Sequence, residues 1–173
     1  MTRRTRMILI VVGAAIGLPI LAFGIYLIVN IQGVIEPFEV NAPDCSRKVL
    51  VASQGSSYKD ALLERLVDHV KGKDIYLKVV DTTTLDAEDP AKFDAVIMVA
   101  AIYAASIPGA ARGFIEKVRH PEKVIPIVTS DSGDAPGEAK DLDAITSASD
   151  VGTLDDDFAA ILARLERAFG PKK

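Results

Sequence analysis

The chain has no tryptophan, a single cysteine and only two histidines among 173 residues. One cysteine, Cys45, excludes an internal disulfide and leaves the redox compartment open. His69 and His120 lie far apart in the sequence, and no carboxylate-histidine cluster has metal-ligand spacing, so no metal site is expected. Aromatic residues make up 6% of the chain and net charge is −4. Basic residues beyond the first ten positions are scattered among acidic ones without aromatic interleaving, which speaks against a nucleic-acid partner. The chain also lacks Gly-x4-Gly-Lys-Ser/Thr and Gly-x-Ser-x-Gly, the marks of a P-loop nucleotidase and of an α/β-hydrolase elbow.

What is present begins with residues 7–29 (MILIVVGAAIGLPILAFGIYLIV), an apolar run without a charge. At helical rise it would cross a bilayer core of roughly 30 Å. It exceeds the roughly 7–15 apolar residues of a secretory signal core, and the nearest small-x-small candidate, Val40-Asn41-Ala42, is followed by Pro43. An uncleaved, single-pass anchor is therefore expected. Arg3, Arg4 and Arg6 precede it, whereas Glu36, Glu39 and Asp44 follow it before the next basic residues. The positive-inside rule then puts residues 1–6 in the cytoplasm and the domain outside. Residues 30–47, with Pro37 and Pro43 and no clear periodicity, read as a linker or stalk, and residues 48–173 as the folded domain.

Within that domain, short β-branched runs alternate with amphipathic segments. Strands are predicted at 49–52, 75–80 (IYLKVV), 95–100 (AVIMVA) and 124–128 (VIPIV), with a weak fifth at 144–146. The first, third and fourth are nearly continuous apolar runs, as in a parallel sheet covered on both faces. Leu62, Leu63, Leu66, Val67 and Val70 form one helical stripe that Gly72 ends, and Ala110, Ala111, Phe114, Ile115 and Val118 form another after Pro108. A closing helix over 155–169 opens with three acidic residues, suited to the positive end of its dipole, and turns Phe158, Ile161, Leu162 and Leu165 inward. The expected class is α/β, a doubly wound parallel sheet.

Ligands of such sheets bind beyond the carboxyl ends of the strands, beside the switch in strand order. Three loops are readable there. Ser53, Gln54, Gly55, Ser56 and Ser57 follow the first strand and open into a helix. Small side chains and hydroxyls at a helix N-terminus suit a phosphate, although an ordinary turn with a Ser cap has the same composition. Residues 101–115 follow the third strand, and Ser130, Asp131, Ser132, Gly133 and Asp134 follow the fourth, where a solvated turn is the plain alternative.

The order of elements and these loops resemble the flavodoxins and flavodoxin-like oxidoreductases. Gly55-Ser56-Ser57 followed by Ala61 is similar to the second half of that family's Thr/Ser-x-Thr-Gly-Asn-Thr phosphate loop, with one residue fewer after Ser53. Ile102-Tyr103 matches its Ser-Pro-Ile-Tyr-x-Gly stretch, with Ala101 and Ala105 in place of Pro and Gly. The resemblance covers about residues 48–128. It implies strand order 2-1-3-4-5 and a noncovalent FMN, with Ser53 to Ser57 around the phosphate, Ile102 and Tyr103 against one flavin face, and Ser130 to Gly133 on the other side. With no tryptophan, Tyr103 and Tyr58 are the expected stacking residues. Asp131 and Asp134 would disfavour the anionic reduced flavin. Residues 143–149 also look like a sequence that carries esterified FMN in some extracytoplasmic flavoproteins, with Ser149 as acceptor. The expected function is a membrane-anchored carrier of electrons, an FMN-dependent oxidoreductase if it is an enzyme, with a quinone or membrane protein as redox partner and no catalytic side chain of its own. The alternative is a flavin-free interaction or scaffolding module of the same fold. Receiver domains, which share the strand order, need acidic residues where Ser53, Gln54 and Ala101 stand.

Overall fold

A computed structural model of the chain describes residues 3–29, 33–101, 109–118, 120–130, 133–134 and 143–170. It divides into two compact units, residues 1–32 and 33–173.

The first unit contains helix α1, Arg3–Val29, whose 27 residues include Pro19. Its apolar window is long enough to span a membrane and none of it is buried. Met7, Ile10, Leu18 and Phe23 stand exposed along it, a surface that water disfavours and lipid accepts.

The second unit is a six-stranded, mostly parallel sheet with helices on both faces. In chain order it comprises β1 (Phe38–Val40), β2 (Arg47–Ser53), α2 (Ser57–Val70), β3 (Ile75–Asp81), β4 (Ala95–Ala101), α3 (Gly109–Lys117), β5 (Val124–Thr129), β6 (Ile145–Ser147) and α4 (Leu154–Phe169). The spatial order is β1-β3-β2-β4-β5-β6. This differs from the expected five-strand order by β1, which pairs antiparallel with the outer edge of β3 while every other pairing is parallel. The expected weak fifth strand is β6, three residues long and one position further on than predicted.

Alternation along the strands sends successive side chains to opposite faces. Val49 and Val51 of β2, Leu77 and Val79 of β3 and Ile97 and Val99 of β4 pack with Leu62 and Leu66 of α2 and Ile161 and Leu165 of α4. Leu50, Ala52, Val80, Val96 and Met98 pack on the other face with Ala111 and Phe114 of α3. Every residue of β4 is buried, which is why its run is apolar without alternation. Between β3 and β4 the chain makes two 3-10 turns, Thr82–Ala87 and Pro90–Lys92, in place of an α-helix. Leu85 of the first is fully buried and fills part of the space a helix would occupy.

The expected stalk is corrected from residue 33 onward. β1 covers the edge of β3 that would otherwise present unpaired backbone groups. Glu39 stands opposite Lys78 across the pair. Asn41, with φ of 62°, follows β1. Its side-chain amide donates to the carbonyls of Val70 (2.8 Å), Lys73 (3.2 Å) and Ile75 (2.7 Å), so one residue closes the end of α2 and the start of β3. Ser46 then bonds Asp74 through its amide at 2.9 Å and through its hydroxyl. Mixed polarity without periodicity looked like a linker because these bonds are made by backbone and by isolated polar residues.

Candidate functional site

β2 sits between β3 and β4, so the connections leaving its carboxyl end and that of β4 diverge to opposite faces of the sheet. This is the switch in strand order at which such folds open a crevice. The loop after β2 runs from Ser53 into α2.

Ser53 is almost fully buried, and its hydroxyl donates to the carbonyl of Gln54 at 3.3 Å. Ser56 has extended backbone and caps α2, its hydroxyl accepting from the amide of Lys59 at 3.4 Å. Ser57 is exposed at the first position of the helix. Gly55 exchanges two backbone bonds with Gly33: its amide donates to the Gly33 carbonyl at 2.7 Å, and the Gly33 amide donates back at 2.9 Å. Residues 53–57 thus form a loop into α2, with one of its amides engaged by the segment that precedes β1.

Lys59 lies behind this loop, 2% exposed. Its Nζ donates to Gln54 Oε1 at 3.3 Å, and the same oxygen accepts from the amide of Ala101 at 3.5 Å, joining the loop to the end of β4. Burial lowers the Lys59 amine to about 8, against a smaller opposing pull from Asp60. At neutral pH it remains a cation held away from water, which therefore screens it poorly. The sequence carries a signal for this: Lys59, Leu62, Leu63 and Leu66 recur at steps of three and four, which puts the amine on the inward stripe.

Beside the loop, Asp81 ends β3 opposite Ser53. Its carboxylate accepts from the Ile35 amide (2.9 Å), the Thr83 amide (2.9 Å) and the Thr83 hydroxyl (2.6 Å). Burial alone would raise this carboxyl, but those hydrogen bonds together hold it below its ordinary value. Neighbouring Thr82 carries a buried hydroxyl that has no hydrogen-bond partner among the described residues.

Tyr58 is corrected as a stacking residue. It is 3% exposed and points into the core, its hydroxyl donating to Asp157 Oδ2 at 2.6 Å. Burial first, and the Asp157 carboxylate second, push its pKa well up, so it acts as a fixed donor.

Two strands across the sheet from β2, Ser130 and Gly133 lie close together after β5. The Ser130 amide donates to the Ser147 carbonyl at 3.0 Å, its hydroxyl to the Asp134 carbonyl at 2.7 Å, and the Gly133 amide to the Ser130 carbonyl at 3.2 Å. Gly133 has φ of 76° and approaches Ala148, so a side chain there would be strained. Ser149, the acceptor position of the esterified-FMN sequence that residues 143–149 look like, is exposed with φ of 58°, and its amide donates to the Ser147 hydroxyl at 3.2 Å. Ile102, Tyr103, Asp131 and Ser132 lie outside the described residues. No group of three or more potential metal ligands occurs among the described residues. No family model matches the chain, and no curated protein matches it.

Proposed function

We propose that this chain is a membrane-anchored, flavodoxin-like domain that takes the phosphate of FMN at the loop after β2 and serves electron transfer. The observation that supports the reading is the loop's setting. Ser53 to Ser57 run from the carboxyl end of a central parallel strand, at the switch in strand order, to the positive end of a 14-residue helix, with the Lys59 cation buried behind them. These residues suit a dianionic phosphate in position and chemistry. A Cβ on Gly55 would reach within 3.1 Å of the Gly33 backbone, so that position accepts close approach by another main chain or by a ligand oxygen.

In this reading Ser57 offers an exposed hydroxyl, Lys59 supplies charge at short range, and Gln54 holds the Lys59 amine in place. Ile102 and Tyr103 would cover one side of the ring, and Ser130 to Gly133 the other. Bound FMN would supply one- or two-electron chemistry, and the chain contributes orientation, cover and charge. The apolar helix α1 anchors the domain, the arginines before it favour an extracytoplasmic domain, and a quinone or a membrane protein is the redox partner the anchor makes accessible.

Ser57→Asp tests the cradle, since it places a negative charge against the phosphate. It should abolish FMN binding, read by quenching of FMN fluorescence in the purified full-length protein. Affinity equal to wild type in that variant contradicts the reading.

A second reading, a flavin-free interaction module of the same fold, is favoured by the Gly33–Gly55 pair, which uses a cradle amide inside the protein, and by the inward turn of Tyr58. Wild-type protein that neither carries nor binds FMN supports it.

A further inference from the structure

Residues 33–35 cross the ends of β2 and β3 and are held there by main-chain groups. Gly33 and Gly55 exchange bonds of 2.9 and 2.7 Å, and Ile35 donates to Asp81 at 2.9 Å. Gly55 is the tighter of the two positions, with a Cβ there 3.1 Å from the Gly33 backbone, whereas a Cβ on Gly33 would lie at an ordinary 3.4 Å from Gly55 Cα. Two side chains add to the hold: Ile35 is half-buried and packs against the core, and the Asp81 carboxylate accepts from the Ile35 amide. Val34 is 79% exposed, and a shallow groove of about 790 Å³, lined by Ile35, Phe38, Leu63 and Val67 among others, runs between this segment and α2. A contact made of three hydrogen bonds and one half-buried apolar side chain is of the kind that opens locally without unfolding its domain.

We propose that residues 33–35 are an autoinhibitory latch on the anion-binding loop, in which the Gly33 carbonyl oxygen occupies the Gly55 amide that a phosphate oxygen would take. The inference rests on the FMN reading above. A ligand at the loop must lift the latch, so free and bound proteins differ in residues 33–35, and affinity is reduced by the fraction of molecules in which the latch is closed. The exposed Val34 and the groove give the segment room to move, at the cost of the Ile35 packing on the core.

The test is FMN titration of the full-length protein in detergent, wild type against Gly33→Pro, which removes the amide that donates to the Gly55 carbonyl. It is paired with hydrogen exchange of a peptide spanning residues 33–38 in the wild type, with and without saturating FMN. The latch predicts tighter binding by the variant, by up to about tenfold, the equivalent of losing one net hydrogen bond from the closed state. It also predicts faster exchange at residues 33–35 when FMN is bound. Equal affinities, or slower exchange of this segment on binding, overturn the latch while leaving the FMN reading intact. Failure of both proteins to bind FMN overturns the FMN reading, and the latch with it. Should Gly33→Pro fail to fold, the wild-type exchange measurement decides alone.

Discussion

The Tyr58 hydroxyl donates to Asp157 Oδ2 at 2.6 Å across the buried seam between α2 and α4. Thr153 Oγ1 donates to the same oxygen at 3.1 Å, from the residue just before α4. The second aromatic residue available for a flavin is thus used to lock two helices on one face of the sheet. In the proposed FMN reading, aromatic cover is then left to Tyr103.

Removing that bond leaves a buried carboxylate with a weaker set of partners. Tyr58→Phe should destabilise the domain by about 1–3 kcal/mol, as expected for a buried group deprived of its donor. Urea denaturation of the detergent-solubilised protein measures it. A change below about 0.5 kcal/mol would mean that the pair contributes nothing to stability.

Lys59 gives a pH dependence of defined sign. Its folded pKa, about 8, lies below the ordinary lysine value of 10.5. Below pH 8 both folded and unfolded chains carry the charge and the full burial penalty acts. Between 8 and 10.5 the unfolded chain holds more protons, so stability rises with pH and the penalty vanishes above that window. Lys59→Met should therefore be more stable than wild type at pH 7 by on the order of 2–3 kcal/mol, converge with it above pH 10.5, and bind FMN more weakly. A stability difference independent of pH would show that the amine is not desolvated.

Much of the fold is legible because burial follows periodicity. The runs at 49–52, 95–100 and 124–128 lie within β2, β4 and β5, and the stripes of Leu62 and Phe114 are the buried faces of α2 and α3. What escapes is structure made without a pattern. β1 has three residues and owes its place to the open edge of β3, and Asn41 works through one side-chain amide. The site divides in the same way. A Ser- and Gly-rich loop at a helix start can be read, whereas Gly33 meets Gly55 across 22 positions through backbone atoms that no side chain advertises. Lys59 and Tyr58 were readable in principle, since both fall on the inward face of α2.

Asn41 combines a left-handed backbone with three carbonyl contacts, and two variants separate these roles. Asn41→Gly keeps the conformation and loses the bonds, at a cost of about 1–2 kcal/mol. Asn41→Ala loses both and should cost about 1 kcal/mol more, from the strain of φ near 62°. Equal stability of the two variants would assign the whole effect to the hydrogen bonds.

Asp81 ties Ile35 to the sheet in a way that acid should undo. Its folded pKa is lowered, so its contribution is fully present above the unfolded value of 3.8 and is lost as pH falls through the folded value. The Ile35 amide should lose protection from hydrogen exchange below about pH 4 before the core strands do. Asp81→Asn should abolish that acid step. Uniform loss of protection across the domain would contradict it.

The central claim is most directly tested by purifying the full-length protein in mild detergent, recording its visible spectrum, and titrating it with FMN. The account predicts flavin absorption bands that leave with the supernatant on acid precipitation, or saturable quenching of added FMN that Ser57→Asp abolishes. A colourless protein that leaves FMN fluorescence unchanged would contradict it and leave the interaction module as the reading of this fold.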